Sequence, residues 1–169
     1  TAAVTTNKRL WCQNQIVRAT EGAIANNRGY RQNHLKHFDF DAAMAAIGAA
    51  KDEVVMFERE AQKLSKLKFS EEEAHKFLAR QFVDDVSEEV LDALIKNEDQ
   101  QPLQLRQVLH SYVKAPGAAP GTGWGVLNAV THWADHVAGN KASTRFDKAM
   151  FGVNAKLKNR VANELLELA

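Results

Sequence analysis

From Ala43 onward apolar side chains recur at Met44, Ile47, Ala50, Val54, Phe57, Ala61 and Leu64, three or four residues apart. That spacing stacks them on one face of an α-helix. The helix is expected to start near Asp39 or Asp41 and to run to about Lys66, a length of roughly 40 Å at the α-helical rise. Such a length suits one arm of a hairpin or coiled coil better than an isolated globular helix. Alanines at positions 42, 43, 45, 46, 49 and 50 leave room for a neighbour to approach closely. Ser70 followed by Glu73 is a capping-box pattern, so a second helix is predicted from there, burying Ala74, Phe77, Leu78 and Phe82. Residues 39–82 are thus expected to form a long helical hairpin arm that turns around Phe69.

The helical spacing continues. Ser87, with Glu88 and Glu89, predicts a short helix carrying Val90, Leu91, Leu94 and Ile95, which the polar run Asn97 to Gln101 ends. Pro102 fits the first turn of a helix through about Tyr112. Residues 115–125 hold Pro116, Gly117, Pro120, Gly121, Gly123 and Gly125, which predicts an exposed loop or one beside a site. Thr122 is placed to cap a helix to about Val137, and Ser143 or Thr144 another to about Phe151. Gly152 and Asn154 set off a last helix. Near the start, Leu10, Asn14, Val17, Glu21 and Ile24 keep helical spacing, which places a helix over about 7–22, and one short strand is allowed near residues 28–38. The fold class is therefore mainly α, a helical hairpin arm plus a small helical bundle, with residues 122–169 as carboxy-terminal helices.

Composition adds bounds. The 169 residues make one ordinary domain, 45% hydrophobic and 25% charged, which excludes collagen-like, disulfide-scaffold and wholly disordered classes. No apolar run approaches the roughly 18 residues of a membrane span. The single cysteine, Cys12, has no internal disulfide partner, and with no apolar leader the chain is expected in the cytoplasm, that of a bacterial host given the resemblance described below. Its first residue is Thr1, which points to a processed or cut chain.

The net charge of +1 conceals segregation. Residues 1–37 hold Lys8, Arg9, Arg18, Arg28, Arg31 and Lys36 against Glu21 alone. Residues 38–107 hold nine basic and 16 acidic side chains, and residues 141–169 hold six basic and three acidic ones. Either the basic ends pair with the acidic middle, or they form a surface for a phosphate-bearing partner.

Candidate chemistry concentrates on the helix after Thr122. Val126, Leu127, Val130, Trp133, Ala134 and Val137 share one face, which is core. Trp124, Asn128, Thr131 and Asp135 form a polar stripe nearly opposite, with His132 at its edge. The stripe reads first as an internal network that locks helix packing, and second as a ligand site. His132 and His136 stand at i and i+4, the spacing that lets two imidazoles share a metal, with Asp135 as a further ligand or support. The zinc-protease pattern needs a glutamate directly after the first histidine, and Trp133 occupies that place. A structural or surface role therefore ranks above metal binding.

The glycines before Trp124 invite an anion cradle, but no Gly-Lys-Ser/Thr follows them, so a flexible turn into the helix is the better reading. Cys12 beside His34 or His37 reads as a packed thiol before it reads as a nucleophile. In the last helix Leu157, Val161, Leu165 and Leu168 make the buried stripe, with Lys156, Arg160, Glu164 and Glu167 on another side. Lys156 sits in the first turn, where the helix dipole disfavours a cation, so an anion or a carboxylate is its natural complement. No motif calls for a cofactor.

Gly121-Thr122-Gly123-Trp124-Gly125-Val126-Leu127-Asn128-Ala129-Val130-Thr131, followed by Asp135-His136, resembles the signature of the phage/plasmid-like family called domain of unknown function 932. Arg9-Leu10-Trp11-Cys12-Gln13-Asn14, the Lys36-His37 pair, and Phe151-Gly152 with Lys156 keep the order of that family's elements. His132 and Trp133 depart from its pattern. The resemblance implies that this is the helical, carboxy-terminal part of a longer α+β protein carried by phages, prophages or plasmids, with a role in nucleic-acid metabolism or conflict with a host.

Three functional expectations follow. The first is a non-enzymatic nucleic-acid-associated protein binding through its basic ends, with Arg145 and Lys156 as anion candidates beside the six cations of residues 1–37. The second is a metal- or ligand-dependent enzyme with a site beside the 115–125 loop, built on Asn128, Thr131, Asp135 and His136. The third is a structural module that self-associates through the hairpin.

Overall fold

The computed structural model describes residues 40–83, 87–139 and 141–169. The expected helix over 7–22, the strand near 28–38, the six cations of residues 1–37, and Cys12, His34 and His37 lie outside the described residues. Within them the secondary structure is helical, with a single isolated bridge between Lys68 and Thr122 and no strand. No described helix is long and apolar enough to cross a membrane.

Helix α1 spans Phe40–Lys66, so the periodic stretch is one continuous helix with the expected limits. The chain divides into two units, Thr1–Glu60 and Ala61–Ala169. In the first, Val54, Val55 and Met56 of α1 are exposed. In the second, Leu64 of α1 is buried.

Helix α2 spans Glu71–Arg80 and starts as its sequence dictates. The Glu73 N–H donates to Ser70 Oγ (3.2 Å), and the Ser70 N–H donates to Glu73 Oε2 (2.8 Å). Two backbone donors that the helix cannot satisfy itself are thereby paired. Ala74, Phe77, Leu78 and Ala79 are buried. Phe82 lies beyond the helix end, half-buried, with its ring edge-on to Trp133 at 5.1 Å. Helix α3 spans Glu88–Lys96 with Ser87 as N-cap, buries Leu91 and leaves Val90 exposed. Lys76 ties α2 to α3 by bridging Glu72 (2.9 Å) and Asp92 (2.6 Å).

A 3₁₀ turn at Glu98–Gln100 follows, and Gln101 is buried with its Nε2 donating to Leu94 O (3.0 Å). Helix α4 spans Leu103–Lys114 with Pro102 just before it, running one turn's fraction past the expected end. Helix α5 spans Gly123–His132 and passes directly into a π-helical turn, Trp133–Val137. Helix α6 spans Ala142–Met150 and helix α7 spans Val153–Leu168.

Two further boundaries differ from expectation. Residue Lys141, not Ser143 or Thr144, is the N-cap of α6, and the Thr144 hydroxyl donates back to Lys141 O (3.1 Å). The glycine-rich loop is shorter than expected, because Gly123 and Gly125 belong to α5 and are buried. Glycine there serves close packing and not a turn.

Helix α5 is the centre of the second unit. It packs along α4 on one side and against α7 on another, while α2 packs against α3 and α4, and α6 against α7. Residues Gly125 through Thr131 are all buried, as a helix enclosed on every side requires. Tyr112, Val108 and Leu105 of α4, Val126 and Val130 of α5, and Val161 and Leu165 of α7 form the core with Leu64, Leu78 and Leu91.

Candidate functional site

The signature glycines are committed to the chain itself. Gly121 has φ +83°, a left-handed conformation that favours glycine, and its N–H donates to the Tyr112 hydroxyl (2.7 Å). The Gly123 N–H donates to Leu67 O (2.9 Å), and the Phe69 N–H donates to Gly121 O (3.1 Å). Thr122 caps α5, its Oγ1 accepting from the Gly125 N–H (3.0 Å) and donating to Ala119 O (2.7 Å). A Cβ on Gly125 would stand 2.0 Å from Ala119 O, and one on Gly123 would stand 2.9 Å from Leu67 Cδ2. The amides of Gly121, Gly123 and Gly125 are therefore directed to carbonyl and hydroxyl oxygens of the protein and not to an anion.

Of the polar stripe, Asn128, Thr131 and the Asp135 side chain are shielded from solvent. Asn128 Nδ2 donates to Gly117 O (3.3 Å), which pins the loop to α5. Thr131 is buried, and Trp124 is half-buried at the start of the same helix. On the apolar face the Trp133 indole N–H donates to Gln107 Oε1 (3.0 Å).

Asp135 lies in the π turn and is directed inward. Its Oδ1 accepts from Lys158 Nζ of α7 at 2.8 Å, with both side chains almost fully shielded, 1% and 0% exposed. Burial pushes the Asp135 carboxyl above the ordinary aspartate range, while the charges of Lys158 and His136 and the Lys158 hydrogen bond pull it down. Asn154 of α7 is also buried, its Nδ2 reaching Ala134 O at 3.5 Å. Within the π turn the Ala138 N–H donates to Trp133 O (2.7 Å), the wider bond that defines such a turn.

No motif in the sequence singles out Lys158, which is fully buried. It stands three residues before Val161 and seven before Leu165 on the buried side of α7, whereas Leu168 of the expected stripe is exposed and Leu157 is only half-buried. Arg145 is likewise bound internally. Its guanidinium donates to Ala138 O (2.9 Å), His136 O (2.8 Å) and Gly139 O (3.0 Å), closing the carboxy-terminal end of the π turn. Arg160 donates to Gln81 Oε1 (3.1 Å) and Gln81 O (3.2 Å), whereas Lys156, Lys148 and Lys141 are exposed.

His132 is half-buried and His136 exposed, their ring centroids 5.3 Å apart and tilted by 38°. His132 Nδ1 lies 3.0 Å from Ser111 Oγ of α4. Burial, together with the charges of His136 and His110, lowers the His132 pKa below the usual histidine value. Among the described residues no group of three or more His, Cys, Asp or Glu side chains is placed to hold a metal. Asp135, turned to Lys158, does not join the two histidines.

The family described as "Domain of unknown function (DUF932)" matches residues 1–159. No curated protein and no solved structure matches.

Proposed function

The chain belongs to the domain of unknown function 932 family, and we propose that it is a non-enzymatic, nucleic-acid-associated protein, working in the phage, prophage or plasmid setting that the resemblance implies. The observation that carries this reading is the basic excess of residues 1–37, six cations against Glu21 alone. Exposed Lys141, Lys148 and Lys156 extend the supply of phosphate contacts, and a protein that neutralises phosphates with such residues releases counterions on binding.

The inward commitment of Asn128, Asp135 and the signature glycine amides supports the same reading. Asn128 holds a loop carbonyl, Asp135 pairs with Lys158, and the amides of Gly121, Gly123 and Gly125 are paired within the chain. An enzyme site beside the loop would need some of those groups turned toward a substrate. The carboxy-terminal contribution is narrower than its charge count, because Arg145, Lys158 and Arg160 are engaged with the protein and Arg145 is thereby weakened as an anion ligand.

The test is fluorescence anisotropy with labelled single- and double-stranded oligonucleotides, comparing the chain with an Arg28→Glu/Arg31→Glu variant. The reading expects binding at low salt and at least about tenfold loss in the variant, since each lost phosphate contact weakens binding uniformly across sequences. Equal affinity of the two proteins would refute it.

A further inference from the structure

We propose that His132 and His136 form a two-histidine site for a borderline divalent transition ion of the zinc class. The inference is independent of nucleic-acid binding and starts from the proton on His132. Ser111 Oγ makes two hydrogen bonds, one to Gln107 O at 2.9 Å and one with His132 Nδ1 at 3.0 Å. A backbone carbonyl only accepts, so the single hydroxyl proton goes to Gln107 O. Ser111 Oγ must then accept from His132, which places the imidazole proton on Nδ1 and leaves the Nε2 lone pair open. A metal-binding histidine is commonly held in this way, with its far N–H given to an oxygen that fixes tautomer and ring orientation.

The second observation is the separation of the rings. Two imidazoles binding one zinc ion at a tetrahedral angle through nitrogens at about 2.1 Å have centroids about 5.3 Å apart. The centroids of His132 and His136 stand 5.3 Å apart. His136 is exposed, so the ion has access from solvent, and water supplies its remaining positions. The backbone also favours the pair. His132 closes α5 and His136 lies in the π turn, where residues four apart stay on one side of the helix, and such turns recur at functional sites.

The probe is zinc chloride titrated calorimetrically into the untagged full chain, beside His136→Ala, Ser111→Ala and the double variant His132→Ala/His136→Ala. The double variant reports whatever the other histidines and Cys12 bind. The expected result is one more equivalent of zinc in the parent chain than in the double variant, at least about tenfold weaker binding in Ser111→Ala, and loss of the extra equivalent in His136→Ala. Because His136 is exposed, His136→Ala keeps the metal-free melting temperature of the parent, so its loss of zinc is not a loss of fold. Identical titrations of the parent and the double variant, or full parental affinity in His136→Ala, would overturn the proposal.

Discussion

Lys158 Nζ lies 2.8 Å from Asp135 Oδ1 with both side chains removed from solvent, so one charge pair joins the π turn to α7 inside the bundle. A pair of this kind is costly to bury and more costly to break. Replacing Lys158 by Met leaves Asp135 without that partner, and a destabilisation of about 3–5 kcal/mol is expected from denaturant unfolding. Replacing both, as Asp135→Leu/Lys158→Met, recovers most of that loss, because two apolar side chains carry no desolvation penalty. A double variant as unstable as the single one would mean that the pair contributes more than mutual neutralisation.

The second prediction concerns the glycine signature. A methyl group at Gly125 would collide with the Ala119 carbonyl, so Gly125→Ala is expected to lower stability by about 1–3 kcal/mol through forced movement of the loop. At Gly48 nothing lies within 4 Å of an added Cβ. Gly48→Ala is therefore expected to be neutral or to stabilise by up to about 1 kcal/mol through helix propensity. Thermal unfolding of the two variants distinguishes a packing role for the signature glycine from a general intolerance of substitution.

A third prediction follows from His75. It is half-buried against Tyr112, with ring centroids 6.1 Å apart, and burial lowers its pKa below 6.5 while Glu71 opposes the shift. The unfolded chain therefore takes up a proton at this position before the folded chain does. Stability is full above the unfolded value and falls as pH drops through it. Melting temperatures measured between about pH 7.5 and about pH 5.5 should decline on acidification, and the decline should be smaller in His75→Leu. An unchanged slope in that variant would remove His75 from the account.

The capping box gives the fourth. The amide and hydroxyl of Ser70 hold the Glu73 carboxyl below its ordinary pKa. Ser70→Ala should cost about 1 kcal/mol in chemical denaturation.

What could be read from the chain was whatever rests on local pattern. The heptad-like run into Leu64, the Ser70 and Thr122 caps, and the burial of the stripe through Asn128, Thr131 and Asp135 all follow from spacing and side-chain chemistry. Three features did not. Gly123 and Gly125 looked like loop residues because glycine most often marks turns, whereas their place is set by the approach of Leu67 and Ala119 from elsewhere in the sequence. The π turn needs one extra residue within a helical turn, and no composition announces it. Charged residues are exposed by default, so nothing local marks Lys158 or Arg145 as internal, and their partners, Asp135 and the carbonyls of residues 136, 138 and 139, become visible only when α6 and α7 are folded against α5.

The salt dependence of oligonucleotide affinity tests the functional account most directly. For the 169-residue chain on single strands, three or more phosphate contacts predict that the logarithm of the association constant falls with the logarithm of salt concentration at a slope of about −2 or steeper. Lys148→Glu/Lys156→Glu should make that slope shallower. No measurable binding at low salt, or a slope near zero, would contradict the account.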